Sequence, residues 1–192
     1  MPKDKLVITV SGLAGSGTTT LSKKIAEHYG LKHVYAGLIF RQMAKEKGMS
    51  LEEFQKYAEL HPEIDREVDR RQIEAAKEGN VVIEGRLAGW MVKNADLKIW
   101  LDAPIRVRAE RVAKREGISV EEAFMKIAER EMQNRKRYLN LYGIDINDLS
   151  IYDLIINTSK WSPEGVFAIV KAAIDHLDPV GDAGSKKEKE VG

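Results

Sequence analysis

A β-branched run that breaks into glycines and then threonines constrains this chain most. Residues 5–29 read KLVITVSGLAGSGTTTLSKKIAEHY. An apolar strand from Leu6 to Val10 meets a loop holding Gly12, Gly15 and Gly17, and the loop opens into an amphipathic helix. Strand, glycine loop and helix in that order are the context of a phosphate-binding P-loop. The glycines let the backbone curl into a nest of N–H groups, and the helix start adds partial positive charge behind it. Thr19 stands where a magnesium-ligating hydroxyl belongs. The template G-x-x-x-x-G-K-[ST] is broken at one position, where Thr18 replaces the lysine that reaches the β- and γ-phosphates. Backbone amides still cradle an anion, but one full charge is missing, and Lys23 and Lys24 lie more than a turn further on.

Composition narrows the classes. The 192 residues suit one domain with room for a mobile insertion and a substantial core. A net charge of +1 at 32 % charged residues gives no bulk attraction to nucleic acid or to a membrane surface. Without cysteine there is neither a disulfide frame nor a thiolate site. No stretch approaches ~20 consecutive apolar residues, and the first apolar run is too short for a signal peptide, so a cytoplasmic protein is expected. The high charge and the absence of cysteine also fit a protein from a hot environment.

Periodicity and caps predict five short strands alternating with helices. Strands are expected at 6–10, 33–36, 80–84, 97–101 and 153–157. Helices are expected at 18–29, from Gly37 to near Gly48, from Ser50 to about Leu60, at 62–78, from Pro104 to Gly117, from Ser119 through 143, and from Ser162 to about Leu177. Ser50 with Glu53, and Ser119 with Glu122, have capping-box spacing. Residues 85–89 read as a loop, and 181–192, GDAGSKKEKEVG, as a disordered charged tail. The fold class is α/β: a three-layer arrangement with a five-stranded parallel sheet covered by helices on both faces. A single domain over residues 1–180 is expected.

Ligands of such sheets bind at the carboxyl ends of the strands. That rule gathers the P-loop, Gly37 with Arg41, Glu84 with Gly85 and Arg86, and Asp102 into one crevice. A phosphate cradle, a carboxylate and two separate arginines are what phosphoryl transfer calls for. Arg41 and Arg86 suit the phosphate of an acceptor, because a guanidinium fork grips phosphate bidentately. Glu84 could position Mg²⁺ through water. Further on, Arg130, Arg135 and Arg137 fall within eight positions, and Arg130, Asn134 and Arg137 share a helical face. They read either as a solvated charged face or as a lid bringing arginines to the donor phosphates. His28, His33, His61 and His176 lack metal-site spacing and read as structural or surface residues. Trp90, Trp100 and Trp161 read as packing residues in preference to base-stacking ones.

The segments GLAGSGTTT, HVYAGLIFR, VVIEGRLAGW, RVRAERVAKREG, AEREMQNRKRY and DLIINTSKWSPEGV together resemble the archaeal-type cytidylate kinases of the nucleoside-monophosphate kinase family. The pairing of AGLIFR with EGRLAG is the more specific signal, since the P-loop alone is generic. The resemblance implies a P-loop NTPase fold with a helical NMP-binding region at about 37–80 and a mobile lid at about 117–143. It implies transfer of the γ-phosphate of ATP, with Mg²⁺, to CMP and dCMP. Gly12, Leu13, Ala14, Gly15, Ser16, Gly17, Thr18, Thr19 and Thr20 would hold ATP, and Gly37, Arg41, Gly85 and Arg86 the acceptor. Arg130, Arg135 and Arg137 would be catalytic, and Thr19 and Glu84 (through water) would serve the metal. The protein would act on free nucleotides as a monomer or weak dimer. Besides Thr18, three positions depart from relatives: Leu38 and Leu87 stand where aspartates are found, and Asn134 where a lid aspartate is common. Another small acceptor, such as UMP or AMP, and a non-catalytic nucleotide-binding module stay open as alternatives.

Overall fold

The central strand is buried along its whole length and carries the P-loop at its end. The computed structural model describes residues 5–178, so the tail expected to be disordered lies outside the described residues. Five parallel strands form one sheet: β1 Val7–Gly12, β2 Lys32–Tyr35, β3 Val81–Glu84, β4 Leu97–Asp102 and β5 Leu154–Asn157. Their order is β2-β3-β1-β4-β5. Every residue of β1 is buried, as a strand covered on both faces requires. Among the described residues eight α-helices connect and cover the sheet: α1 Thr18–Tyr29, α2 Ala36–Glu46, α3 Leu51–Glu59, α4 Glu63–Glu78, α5 Ala88–Met91, α6 Ile105–Glu116, α7 Val120–Tyr142 and α8 Pro163–Asp175.

Alternation along β1 sends side chains to two cores. Ile8 and Val10 join Leu21 and Ile25 of α1 and Val166, Val170 and Ile174 of α8. Val7 meets Val81, Ile83, Ala88 and Val92 on the other face. Three smaller cores lie beside these, one of them Trp100 with Ile146 and Tyr152. Ile39, Met43, Phe54, Ile64 and Val68 knit α2, α3 and α4 together. Ala109, Val112, Ala113, Ala123 and Ile127 join α6 to the first half of α7.

The helix signals read from the sequence mark real boundaries. Ser50 and Glu53 form a complete capping box. At Ser119 only half of the expected box forms: its hydroxyl accepts from the Glu122 N–H at 3.1 Å. Gly30, Gly117 and Gly143 end α1, α6 and α7 in the left-handed conformation, where the missing Cβ removes the steric penalty. Two short elements were not foreseen, one of them a 3-10 turn at Thr158–Lys160. Residues 88–91, expected within a loop and its flank, make the short helix α5, closed by N–H bonds from Met91 to Leu87 and from Val92 to Ala88. The Tyr152 ring packs so close to Gly89 that a Cβ there would lie 2.7 Å from it, so this position of the helix requires glycine.

Register decides what converges. Val10 pairs with Glu84, Gly12 with Leu101, Tyr35 with Glu84, and Asp102 with Asn157. The carboxyl ends of the strands therefore finish along one edge. No described helix is long and apolar enough to cross a membrane.

Candidate active site

Side chains from far along the chain hold the β1–α1 turn in shape. Arg108 Nη1 donates to the Ala14 carbonyl at 3.4 Å, Arg111 Nη1 to that of Gly15 at 3.1 Å, and Thr158 Oγ1 to that of Ser16 at 2.8 Å. In a trans peptide the following N–H points opposite to the carbonyl. Fixing three carbonyls outward thus aims the N–H groups into the concavity. Gly15 and Gly17 make no backbone N–H bond among the described residues. Helix α1 opens on Gly17 without a side-chain cap, so its first N–H groups are unpaired too. Gly15 sits at φ 79°, and a Cβ there would lie 2.6 Å from the Arg108 carbonyl oxygen. The loop's closeness to α6 therefore demands glycine. The buried Ser16 hydroxyl has no partner. This is an anion cradle built and braced in advance.

Glu84 ends β3 beside that cradle. Its Oε1 accepts from Thr19 Oγ1 at 2.5 Å and from Thr18 Oγ1 at 3.1 Å, and its Oε2 lies 2.6 Å from His33 Nε2. An ionised carboxylate only accepts, so His33 donates through Nε2. Burial pushes the Glu84 carboxyl up, but the hydrogen bonds from His33, Thr19 and Thr18 and the attraction of His33 outweigh it and hold it below the ordinary 4.5. The group is therefore ionised at neutral pH. Thr19 donates its proton to Glu84 and keeps its lone pairs for a cation. An oxygen donor set of one hydroxyl and one carboxylate fits Mg²⁺, which takes few protein ligands and keeps waters and substrate phosphates. No cluster of three or more His, Asp or Glu suited to a metal occurs among the described residues.

A cleft of about 430 Å³ extends from the cradle. Gly12, Leu13, Ala14, Thr18, Gly37, Glu84, Gly85 and Arg86 line it from the sheet edge. Asp65, Asp69 and Gln72 of α4 face it from one flank, and Arg137, Tyr138 and Tyr142 of α7 from another. Arg137 Nη2 reaches Asp65 at 3.0 Å, and the Tyr142 hydroxyl donates to Asp69 at 3.1 Å. Burial raises the Asp69 carboxyl, against the Tyr142 hydrogen bond.

The expected arginines do not all meet. Arg86 lines the cleft, and it also lines an adjoining cavity of about 590 Å³ together with Leu13, Glu131, Asn134 and Arg135. Arg41 is exposed and does not line the cleft. It leans on Tyr35, which does: Nη1 lies 3.4 Å from the Tyr35 hydroxyl, and the guanidinium carbon 6.0 Å from its ring centre. Arg137 lines the cleft, whereas Arg135 lines the adjoining cavity and pairs with Asp145 at 3.4 Å. Arg130 is exposed and lines neither space.

Several residues at the site were not singled out in the sequence. Arg108 is 5 % exposed and ion-paired to Glu131 of α7, so one guanidinium ties the P-loop to that helix. In the sequence it is one of several arginines in the segment RVRAERVAKREG, with nothing to mark it as buried. His33, read as structural or surface, holds Glu84. The one available signal was its place on a strand entering the sheet edge. Asp65, Asp69 and Gln72 share an i, i+4, i+7 face, a pattern that any amphipathic helix shows. Trp100 is in the core as expected, but Trp161 is 54 % exposed. With Gly17, Thr20, Arg111 and Pro163, Trp161 lines a space of about 300 Å³ on the other side of the P-loop.

Residues 7–160 match the cytidylate kinase-like family. The chain is 93 % identical over 192 residues to a cytidylate kinase of Pyrococcus furiosus, with all of both chains covered. It is 84 % identical over 193 residues to one of Thermococcus kodakarensis, again covering all of both. To one of Methanocaldococcus jannaschii it is 61 % identical over 176 residues, 90 % of this chain and 99 % of that one. Among solved structures, an uncharacterized protein of Eubacterium ventriosum aligns with TM-score 0.71 at 19 % identity, covering 90 % of this chain and 99 % of that one. A shikimate kinase of Bacteroides thetaiotaomicron aligns with TM-score 0.61 at 17 % identity, covering 88 % and 98 %. The structural likenesses speak to the fold alone, and they agree with the α/β P-loop kinase architecture.

Proposed function

The chain belongs to the cytidylate kinase-like family, and from that premise we propose that it transfers the γ-phosphate of ATP to CMP, and to dCMP, giving ADP and the cytidine diphosphate. The observation that carries this reading is the convergence of the P-loop, Glu84 and Arg86 on one cleft that Arg137 also faces. In the reaction an oxygen of the acceptor phosphate bonds to the γ-phosphorus as the bond to the β–γ bridging oxygen breaks. Catalysis of this kind is mostly positioning and charge neutralisation.

The N–H groups of Gly12–Thr20 seat the donor phosphates. The space beside the loop that Gly17, Thr20, Arg111 and Trp161 line would take the donor base. Thr19, and Glu84 through water, would hold Mg²⁺, which supplies charge to the donor phosphate oxygens when bound. Gly37, Arg41, Gly85 and Arg86 take the acceptor, with Arg41 swinging from Tyr35 toward its phosphate. Residues 37–80 form the acceptor region and 117–143 a lid. The lid carries Arg130, Arg135 and Arg137 onto the reacting phosphoryl group and shuts out water, which would otherwise hydrolyse ATP. The separate small cores of α2–α4 and of α6–α7 suit segments that shift as units.

Thr18 bears on the missing lysine. Its hydroxyl is engaged with Glu84, so it orients the carboxylate, while the lid arginines supply the charge. Thr18→Lys should therefore change kcat only modestly, measured by ADP release at saturating ATP and CMP.

The reaction itself is tested by offering CMP, dCMP, UMP and AMP with ATP and Mg²⁺ in a coupled ADP-release assay, with CDP identified by chromatography. CMP should be the best acceptor, with dCMP next. A preference for AMP overturns the cytidine assignment, and no transfer to any monophosphate overturns the kinase reading.

A further inference from the structure

The acceptor's base needs a wall that can read it, and α4 offers one. Asp69 and Gln72 stand one turn apart and line the same cleft as Arg86. Gln72 is 5 % exposed, yet its amide has no hydrogen-bond partner among the described residues. Its Oε1 lies 3.8 Å from where a Cβ on Gly85 would stand, beside the residue that grips phosphate. A buried amide left open toward a cleft is an unused donor and acceptor pair. Asp69 accepts one hydrogen bond, from Tyr142, and an ionised carboxylate has room for several more. Asp65, the third member of this face, is taken up by Arg137.

Resting on the reading of the acceptor as a pyrimidine monophosphate, we propose that Asp69 and Gln72 read the cytosine edge. The Gln72 carbonyl accepts one hydrogen of the exocyclic N4 amine, its NH₂ donates to N3, and Asp69 accepts the second N4 hydrogen. Uracil reverses this edge, with an acceptor O4 and a donor N3–H. Gln72 answers by rotating its amide. Asp69 has no answer, because a carboxylate facing O4 sets acceptor against acceptor. Asp69 is therefore the discriminating residue and Gln72 the tolerant one, specificity arising from the repulsion as much as from the bond.

The test compares CMP with UMP, by kcat/KM with ATP and by equilibrium binding in calorimetry, for the wild-type protein, Asp69→Asn, Asp69→Ser and Gln72→Leu. Either Asp69 variant should lower the CMP-to-UMP ratio by roughly 10- to 100-fold, the worth of one hydrogen bond to a charged group. Gln72→Leu should weaken both nucleotides with little change in the ratio. Equal losses for the two nucleotides in both Asp69 variants would make Asp69 only a structural partner of Tyr142 and overturn the proposal. A wild-type protein that phosphorylates neither nucleotide overturns the kinase reading instead, and calorimetry still compares CMP with UMP. A ratio that the Asp69 variants leave unmoved there overturns the base-reading proposal by itself.

Discussion

Arg137→Ala should lower kcat by about 100-fold or more while changing the KM for CMP far less. The magnitude is that of removing one preorganised charge contact to a transition state. Arg137 is half exposed, and in this structure its partner is Asp65, also exposed, at 3.0 Å. An ion pair of that kind is worth about 0–1 kcal/mol to folding, too little for the variant to fail by unfolding. A large loss must then come from chemistry. The loss is expected to be large because the P-loop brings no lysine: with Thr18 bonded to Glu84, the proposed mechanism relies on the guanidinium that faces the cleft from α7 for charge on the moving phosphoryl oxygens. A contact made in the transition state and not in the ground state lowers kcat and kcat/KM together. Arg137→Lys should recover part of the rate, since it restores charge without the planar fork. Steady-state kinetics over both substrates, with a thermal melt as control, decide the matter. Full turnover in the alanine variant would sink the lid assignment.

Arg86→Ala should fail differently. Here kcat/KM for CMP is expected to fall roughly 10²- to 10³-fold, mainly through KM, with the KM for ATP nearly unchanged. Truncating one partner of a desolvated charge pair costs about 2–5 kcal/mol, and an acceptor phosphate is held in both ground and transition states. The structure leaves Arg86 ready for that role. It is partly buried and has no ion-pair partner among the described residues. It also stands where the cleft and the adjoining cavity meet, the place for a group between two head-to-head nucleotides. Calorimetric binding of CMP separates this from a rate effect. An unchanged affinity would move the acceptor phosphate elsewhere, with Arg41 next in line.

The two arginines differ in how visible they were. Arg86 follows an apolar strand directly, and the rule that ligands gather at carboxyl ends of parallel strands puts it at the crevice. Arg137 lies in a run of charges that helical spacing cannot tell from a solvated face. The same limit hid Arg108, since its burial depends on Glu131 lying across from it, 23 positions away. His33 was hidden because its partner Glu84 is 51 positions away on a strand it pairs with only after folding. The short helix α5 was missed because residues 85–89 have the glycine content of a loop, and the Tyr152 ring that covers Gly89 arrives from more than sixty residues away.

What the sequence determined by itself was local: the glycine loop, the five apolar strands, the helix ends at Gly30, Gly117 and Gly143, and the capping box at Ser50. Each follows from backbone sterics, hydrogen bonds within a few residues, or side-chain periodicity, and those are present in any short window of the chain. The tertiary structure alone decided which charges face one another. Strand order brings Glu84 beside Thr19 and His33, and the fold sets α4 across the cleft from α7 so that Asp65 meets Arg137 and Asp69 meets Tyr142. Those pairings span 51 to 73 residues, and no local preference encodes them; they exist because the sheet's register and the burial of the separate cores bring these side chains within reach of one another around the cleft.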